Sequence, residues 1–138
     1  MKITLNRLNE KTHFEGINED GNKVLFDGSP KIGGEGNGAR PMQVVLMALA
    51  ACSSMDMVVI LHNSGQKVDT YTVEAEAVRD EDKTPSTFKE IHLKFKLTGD
   101  VLERKAMSAA KLAVEKYCSV GKMLDSTAEI TWSVSINE

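Results

Sequence analysis

Apolar residues recur at every second position near both ends of the chain and through its middle, the period of strands with one face turned to a core. Ile3 and Leu5 alternate with Thr4 and Asn6, and Val24 and Phe26 with Leu25 and Asp27. This predicts short strands near residues 2–8 and 22–27, with His13 to Ile17 as a third between them. The run Asn18-Glu19-Asp20-Gly21 has the residue types that tolerate a hairpin turn. Later, Tyr71, Val73, Ala75 and Ala77 alternate with Thr72, Glu74 and Glu76, while Ile91, Leu93, Phe95 and Leu97 alternate with His92, Lys94 and Lys96. The charged segment from Asp80 to Ser86, with Pro85, turns the first of these strands back to meet the second antiparallel. Ile130, Trp132, Val134 and Ile136 mark a last strand.

Two helical stretches interrupt this alternation. Pro30 to Arg40 carries four glycines between positions 33 and 38 and reads as a mobile loop. Pro41 then suits a first helical position, Met42 to His62 are mostly strong helix formers, and Ser64-Gly65 ends the run. From Val44 to Ala51 this helix is apolar on nearly every side, so something must cover it all round, most simply a second copy in a twofold dimer. The stretch from Val44 to Ile60 nearly reaches bilayer length, but Asp56, Ser53 and Ser54 interrupt it, and a buried soluble helix is expected instead. A second helix is predicted from a cap at Asp100 to about Tyr117, with Leu102, Ala106, Ala109, Ala113 and Val114 inward and Arg104, Lys111 and Glu115 outward. Cys118 follows at a break, and Ser119 to Leu124 can form a further turn. The order, strands, helix, strands, helix, strand, is that of an α+β domain.

With 138 residues, 41% apolar and 27% charged, the chain has the size of one domain spanning residues 1–138 and can bury roughly two-thirds of its surface without disulfide staples. Seventeen basic against twenty acidic residues, a net charge of −3, argue against a nucleic-acid partner. The opening MKITLNRLNEKTHFEG lacks the apolar run of a secretion signal, so a cytoplasmic protein is expected.

The chemistry rests on Cys52, mid-way along the apolar helix, and Cys118, 66 positions later. Two readings stay open: reduced thiols that pair transiently, or small residues that simply pack. Cys118 lies where a short turn begins, between Lys116 and Lys122, which would stabilise its thiolate. Apolar surroundings, with Asp56 one turn on, would instead raise the pKa of Cys52. His13, His62 and His92 show no paired ligand spacing, so no metal site is expected. The glycine loop ends in Ala39-Arg40, where a phosphate loop requires Lys followed by Ser or Thr.

Two segments, Arg40-Pro41-Met42-Gln43 through Leu49-Ala50-Ala51-Cys52-Ser53 and Glu115-Lys116-Tyr117-Cys118-Ser119-Val120, resemble the OsmC/Ohr family of osmotically inducible and organic hydroperoxide resistance proteins. The first resembles the family's helix of the form P-x-x-x-L-x-x-A-x-x-A-C, the second its second-cysteine segment. With the matching element order the resemblance covers about residues 2 to 136 and is nearest the YhfA-like branch. It implies an OsmC-like fold, antiparallel sheets around a buried central helix in an intertwined homodimer. It further implies a thiol peroxidase in which Cys52 attacks a small organic hydroperoxide and Cys118 resolves the sulfenic acid as a disulfide, recycled by a dithiol reductant with no cofactor.

The chain departs from the family's peroxidase members at two places. Those members use an arginine from the early strands and a glutamate at the first helix's start to activate the thiolate. Here the glutamate's place resembles Met42 or Gln43, and the segment Thr12-His13-Phe14 holds no arginine. Arg40 and Gln43 are the candidate activating or pocket residues, although Arg40 stands about 18 Å from Cys52 along a straight helix. These departures favour an alternative: a dimeric OsmC-like binding protein for a small apolar or thiol-reactive molecule.

Overall fold

The computed structural model describes residues 1–138 and divides into two compact units, Met1–Val45 and Leu46–Glu138. In the first unit, β1 (Ile3–Arg7), β2 (Phe14–Asn18) and β3 (Lys23–Phe26) form an antiparallel meander in the order of the chain. The predicted turn closes its second hairpin, with Gly21 at φ 85°.

The glycine-rich loop after β3 is tied rather than free. Buried Asp27 accepts hydrogen bonds from the Thr12 hydroxyl at 2.7 Å and from the backbone N–H groups of Gly28, Glu35 and Asn37 at 2.8, 3.0 and 3.1 Å. Together these donors hold its carboxyl far below the usual carboxylate range, the Thr12 hydroxyl contributing most. Ala39 adds a parallel bridge to Phe26. The glycines therefore serve a folded loop whose backbone must pass close to itself: a Cβ on Gly38 would strike the Leu25 carbonyl.

The chain then enters α1 (Pro41–Asn63). The Arg40 carbonyl accepts the first helical bond from Val44 N–H, and the Gln43 Oε1 accepts back from the Arg40 N–H at 3.0 Å, the reciprocal half of a capping box. Gly65, at φ 76°, closes the other end as predicted, its N–H bonded to the His62 carbonyl.

In the second unit, β4 (Lys67–Arg79) and β5 (Phe88–Asp100) pair antiparallel, setting Tyr71 opposite Leu97, Val73 opposite Phe95, Ala75 opposite Leu93 and Ala77 opposite Ile91. That is the register their alternation requires. Ile91, Leu93, Phe95 and Leu97 are almost wholly buried. The opposite face is wet, with diagonal ion pairs Glu74–Lys96 at 2.6 Å and Glu76–Lys94 at 3.0 Å. The last strand, β6 (Glu129–Ile136), joins β5 parallel, so this sheet is mixed. A parallel neighbour needs a crossover, and α2 (Glu103–Leu112), a π turn (Ala113–Tyr117) and α3 (Ser119–Leu124) supply it.

Three expectations are corrected here. Asp100 does not cap α2, because β5 continues through it, paired with Lys67; the cap is Leu102, whose N–H donates to Gln66 Oε1 at 2.8 Å. Leu102 is accordingly exposed, while Ala106, Ala109, Ala113 and Val114 point inward. Regular α-helix also stops at Leu112 and widens into the π turn, closed by the Cys118 N–H on the Ala113 carbonyl.

Helix α1 is covered within its own chain on one stripe only, Leu49, Ser53, Met57 and Leu61, at four-residue spacing. Its other side exposes Met47, Met55, Val58 and Val59. By length and composition alone the helix could cross a membrane.

Candidate functional site

The buried stripe of α1 brings Leu49 and Ser53 to the segment that follows the π turn, where Cys118 caps α3. A Cβ on Gly121 would lie 3.5 Å from both Leu49 and Cys118, ordinary contact distance, so α3 packs against α1 at this point. Farther along the stripe Met57 Sδ accepts from the hydroxyl of Tyr71 on β4 at 3.6 Å, and burial pushes that tyrosine's pKa up to about 12.

The two cysteines, distant in sequence, meet here as free thiols: Cys52 half-buried on α1 and Cys118 buried. Each cysteine also approaches the serine that follows the other. Cys52 Sγ lies 4.0 Å from Ser119 Oγ, and Cys118 Sγ lies 4.0 Å from the hydroxyl of Ser53, which donates to its own helix at the Leu49 carbonyl. Cys118 Sγ further accepts the Gly121 N–H at 3.2 Å.

Burial opposes charge on both sulfurs, and their surroundings then separate them. On Cys52 it is outweighed by the Val120 amide, the Cys118 thiol, and the hydroxyl and amide of Ser119, so the thiol pKa falls below its ordinary value. Cys118 is pushed up, first by burial, which the Gly121 amide only partly offsets, and then by the negative sulfur of Cys52. Charge is thus favoured on Cys52 and disfavoured on Cys118.

This reverses the assignment expected from local sequence. The start of α3 does favour a thiolate, but the sulfur that receives the Ser119 and Val120 amides is Cys52, reached through the fold. The two lysines have other engagements: Lys116 lies 5.3 Å from the Tyr117 ring centre, and Lys122 pairs with Asp125 at 3.7 Å. Ser53 and Ser119 join the site beyond the residues the sequence points to; the signal for them is that Ser follows both cysteines.

Arg40 and Gln43 come together in the first unit, where their bond is spent on starting α1. Beside Cys118, a cavity of about 270 Å³ is lined by Val114, Lys116, Gly121, Lys122, Ala128 and Ile130, among others. No group of three or more His, Cys, Asp or Glu side chains is gathered closely enough to hold a metal ion.

This arrangement can be set beside known proteins. The OsmC-like protein family matches residues 34–133. Protein YhfA of Escherichia coli (strain K12) is 38% identical over 125 residues, 89% of each chain. Among solved structures, a hypothetical protein from Aquifex aeolicus VF5 superposes with a TM-score of 0.81 at 29% identity, covering 99% of this chain and 97% of its own. An organic hydroperoxide resistance protein OsmC from Legionella pneumophila shares the fold with a TM-score of 0.71 at 20% identity, over 98% and 97% of the two chains. A family match over most of the chain, a relative this similar along nearly its full length, and an α+β fold shared end to end lead to one conclusion: the chain belongs to the OsmC-like family.

Proposed function

We propose that the protein is a thiol-dependent peroxidase that reduces small organic hydroperoxides with Cys52 as the attacking and Cys118 as the resolving thiol. The observation that carries this reading is the convergence of the two cysteines, each 4.0 Å from the serine that follows the other, with charge favoured on Cys52 and disfavoured on Cys118. The name of the Legionella protein is in keeping with it.

The chemistry follows from that division. The Cys52 thiolate attacks the terminal oxygen of R–O–O–H; the O–O bond breaks, and the leaving alkoxide takes up a proton to become the alcohol. Cys52 is left as sulfenic acid. Cys118 Sγ then attacks Cys52 Sγ, the S–O bond breaks, and the oxygen departs as water with the thiol's proton. A dithiol returns two electrons to the resulting disulfide. The apolar residues around α1 favour organic hydroperoxides over hydrogen peroxide. The exposed apolar side of that helix is covered, in this reading, by a second copy of the chain.

The test is direct. One equivalent of cumene hydroperoxide should remove both free thiols and leave one intramolecular disulfide, and Cys52→Ser should abolish hydroperoxide consumption. Undiminished consumption by Cys52→Ser would overturn the role of Cys52, and absence of consumption by the unaltered protein, or a Cys52 pKa above the free-thiol value of about 8.5, would favour the binding-protein reading.

A further inference from the structure

Resting on the peroxidase reading, we propose that the buried hydroxyl of Ser53 turns from its own helix to the Cys118 sulfur while that sulfur attacks, and so sustains the resolving step. Ser53 is the polar member of the stripe that α1 buries within the chain, beside Leu49, Met57 and Leu61, and it is wholly shielded from solvent. Its oxygen has two neighbours. It donates to the Leu49 carbonyl at 2.6 Å, and it lies 4.0 Å from Cys118 Sγ, within reach of a sulfur hydrogen bond.

A hydroxyl has one proton and two lone pairs. In the resting protein that proton points at the Leu49 carbonyl, so Ser53 turns a lone pair toward the Cys118 thiol and can accept its S–H. The carbonyl does not depend on the hydroxyl, because the helix already gives it the Ser53 N–H. A serine inside a helix commonly makes this back-bond with no further purpose. What differs here is a sulfur on the other side of the oxygen and the exclusion of water.

Resolution puts negative charge on Cys118. The thiol's proton leaves with the oxygen of Cys52 sulfenic acid as water, the S–O bond breaks, and the new bond joins the two sulfurs. While the charge lasts it needs donors, and a sulfur on a residue 4% exposed cannot draw them from solvent. On its own segment Cys118 has the Gly121 N–H at 3.2 Å. From α1 the hydroxyl within reach is that of Ser53. Rotation about one Cβ–Oγ bond redirects its proton to the sulfur, and a bond to a charged acceptor is roughly twice as strong as the neutral one it replaces. Ser53 keeps its proton throughout and turns back once the disulfide has formed.

The other titratable groups around Cys118 are Cys52 on α1, Glu115 and Lys116 on the π turn, Lys122 and Asp125 on α3, and Glu129 on β6. They are identical in a Ser53 variant and its parent, so comparing the two isolates the hydroxyl. Full-length Cys52→Ser protein keeps Cys118 as its only thiol, and ultraviolet thiolate absorbance gives its titration midpoint. Adding Ser53→Ala should move that midpoint upward by about 0.4 to 1 pH unit, the scale of one hydrogen bond; an unchanged or lowered midpoint overturns the proposal.

A kinetic split makes the second test. With both cysteines present, diamide adds to Cys52, and Cys118 then displaces the hydrazine product to close the disulfide; quenching with N-ethylmaleimide and mass spectrometry follow the two stages. Ser53→Ala should lengthen the life of the Cys52 adduct about two- to fourfold at neutral pH, more than it slows adduct formation, because a smaller thiolate fraction is only partly offset by greater nucleophilicity. Equal slowing of both stages marks disturbed packing and overturns the proposal, as does an unchanged adduct lifetime. Neither measurement uses hydroperoxide, so the expected shifts without consumption of cumene hydroperoxide would count against the peroxidase reading alone.

Discussion

A thiolate can be stabilised without a cation when enough hydrogen-bond donors converge on it, and Cys52 collects two amides, a hydroxyl and a thiol. Its alkylation by iodoacetamide should therefore reach its plateau at lower pH than that of free cysteine, while Cys118 stays unreactive in the same range. Ser119→Ala should move the Cys52 midpoint upward by less than about one pH unit, the scale of one hydrogen bond; a pH–rate profile reads it directly. Asp27 has the same logic in a carboxylate. Its lowered pKa means that its contribution to stability is present above the ordinary carboxylate value and is lost as pH falls through its own. Asp27→Asn should lower stability in urea at neutral pH, with a deficit that shrinks only below the usual carboxylate range. Both cysteines stood out from the sequence because of their neighbours on the chain. Which of them ionises did not, because the donors come from residues 67 and 68 positions away from Cys52.

At the scale of elements, the alternation that placed β4 and β5 also dictated their register, since a slip by one residue would turn Phe95 and Leu97 to water. The boundaries were less legible. Asp100 has the residue type of a helix cap, yet pairing with Lys67 keeps it extended, and tertiary pairing outweighs a local preference of about 1 kcal/mol. Nothing in Ala113–Tyr117 announces a π turn. Such a turn adds a residue to the helical circuit and is frequent at functional sites; here it delivers Cys118 to α1. Near the end of β5, Gly99 has φ 131° and a Cβ there would collide with the Lys67 backbone. Gly99→Ala should cost about 1 to 3 kcal/mol from backbone strain, measured as a lowered denaturation midpoint with unchanged slope.

For the whole molecule, strand alternation reveals faces but not directions, so the parallel entry of β6 was hidden until the pairing was known. The uniform greasiness of α1 is matched by incomplete cover within the chain. Met47, Met55, Val58 and Val59 remain outside, a patch of the kind that marks an interface. In the proposed dimer, Val59→Glu should loosen self-association by at least about 2 kcal/mol, roughly thirtyfold, seen as a shift toward monomer mass by light scattering, whereas Glu76→Gln on the wet sheet face should leave the mass unchanged.

The threading of the second unit has one more effect. Cys118 lies inside the connection that carries the chain from β5 to its parallel neighbour β6, so its sulfur reaches Cys52 only when that connection has docked. A nascent chain keeps the two apart until the 66 positions from Cys52 to Cys118 have been synthesised. The rate at which diamide links them during refolding is thus a chemical clock for the final closure of the molecule.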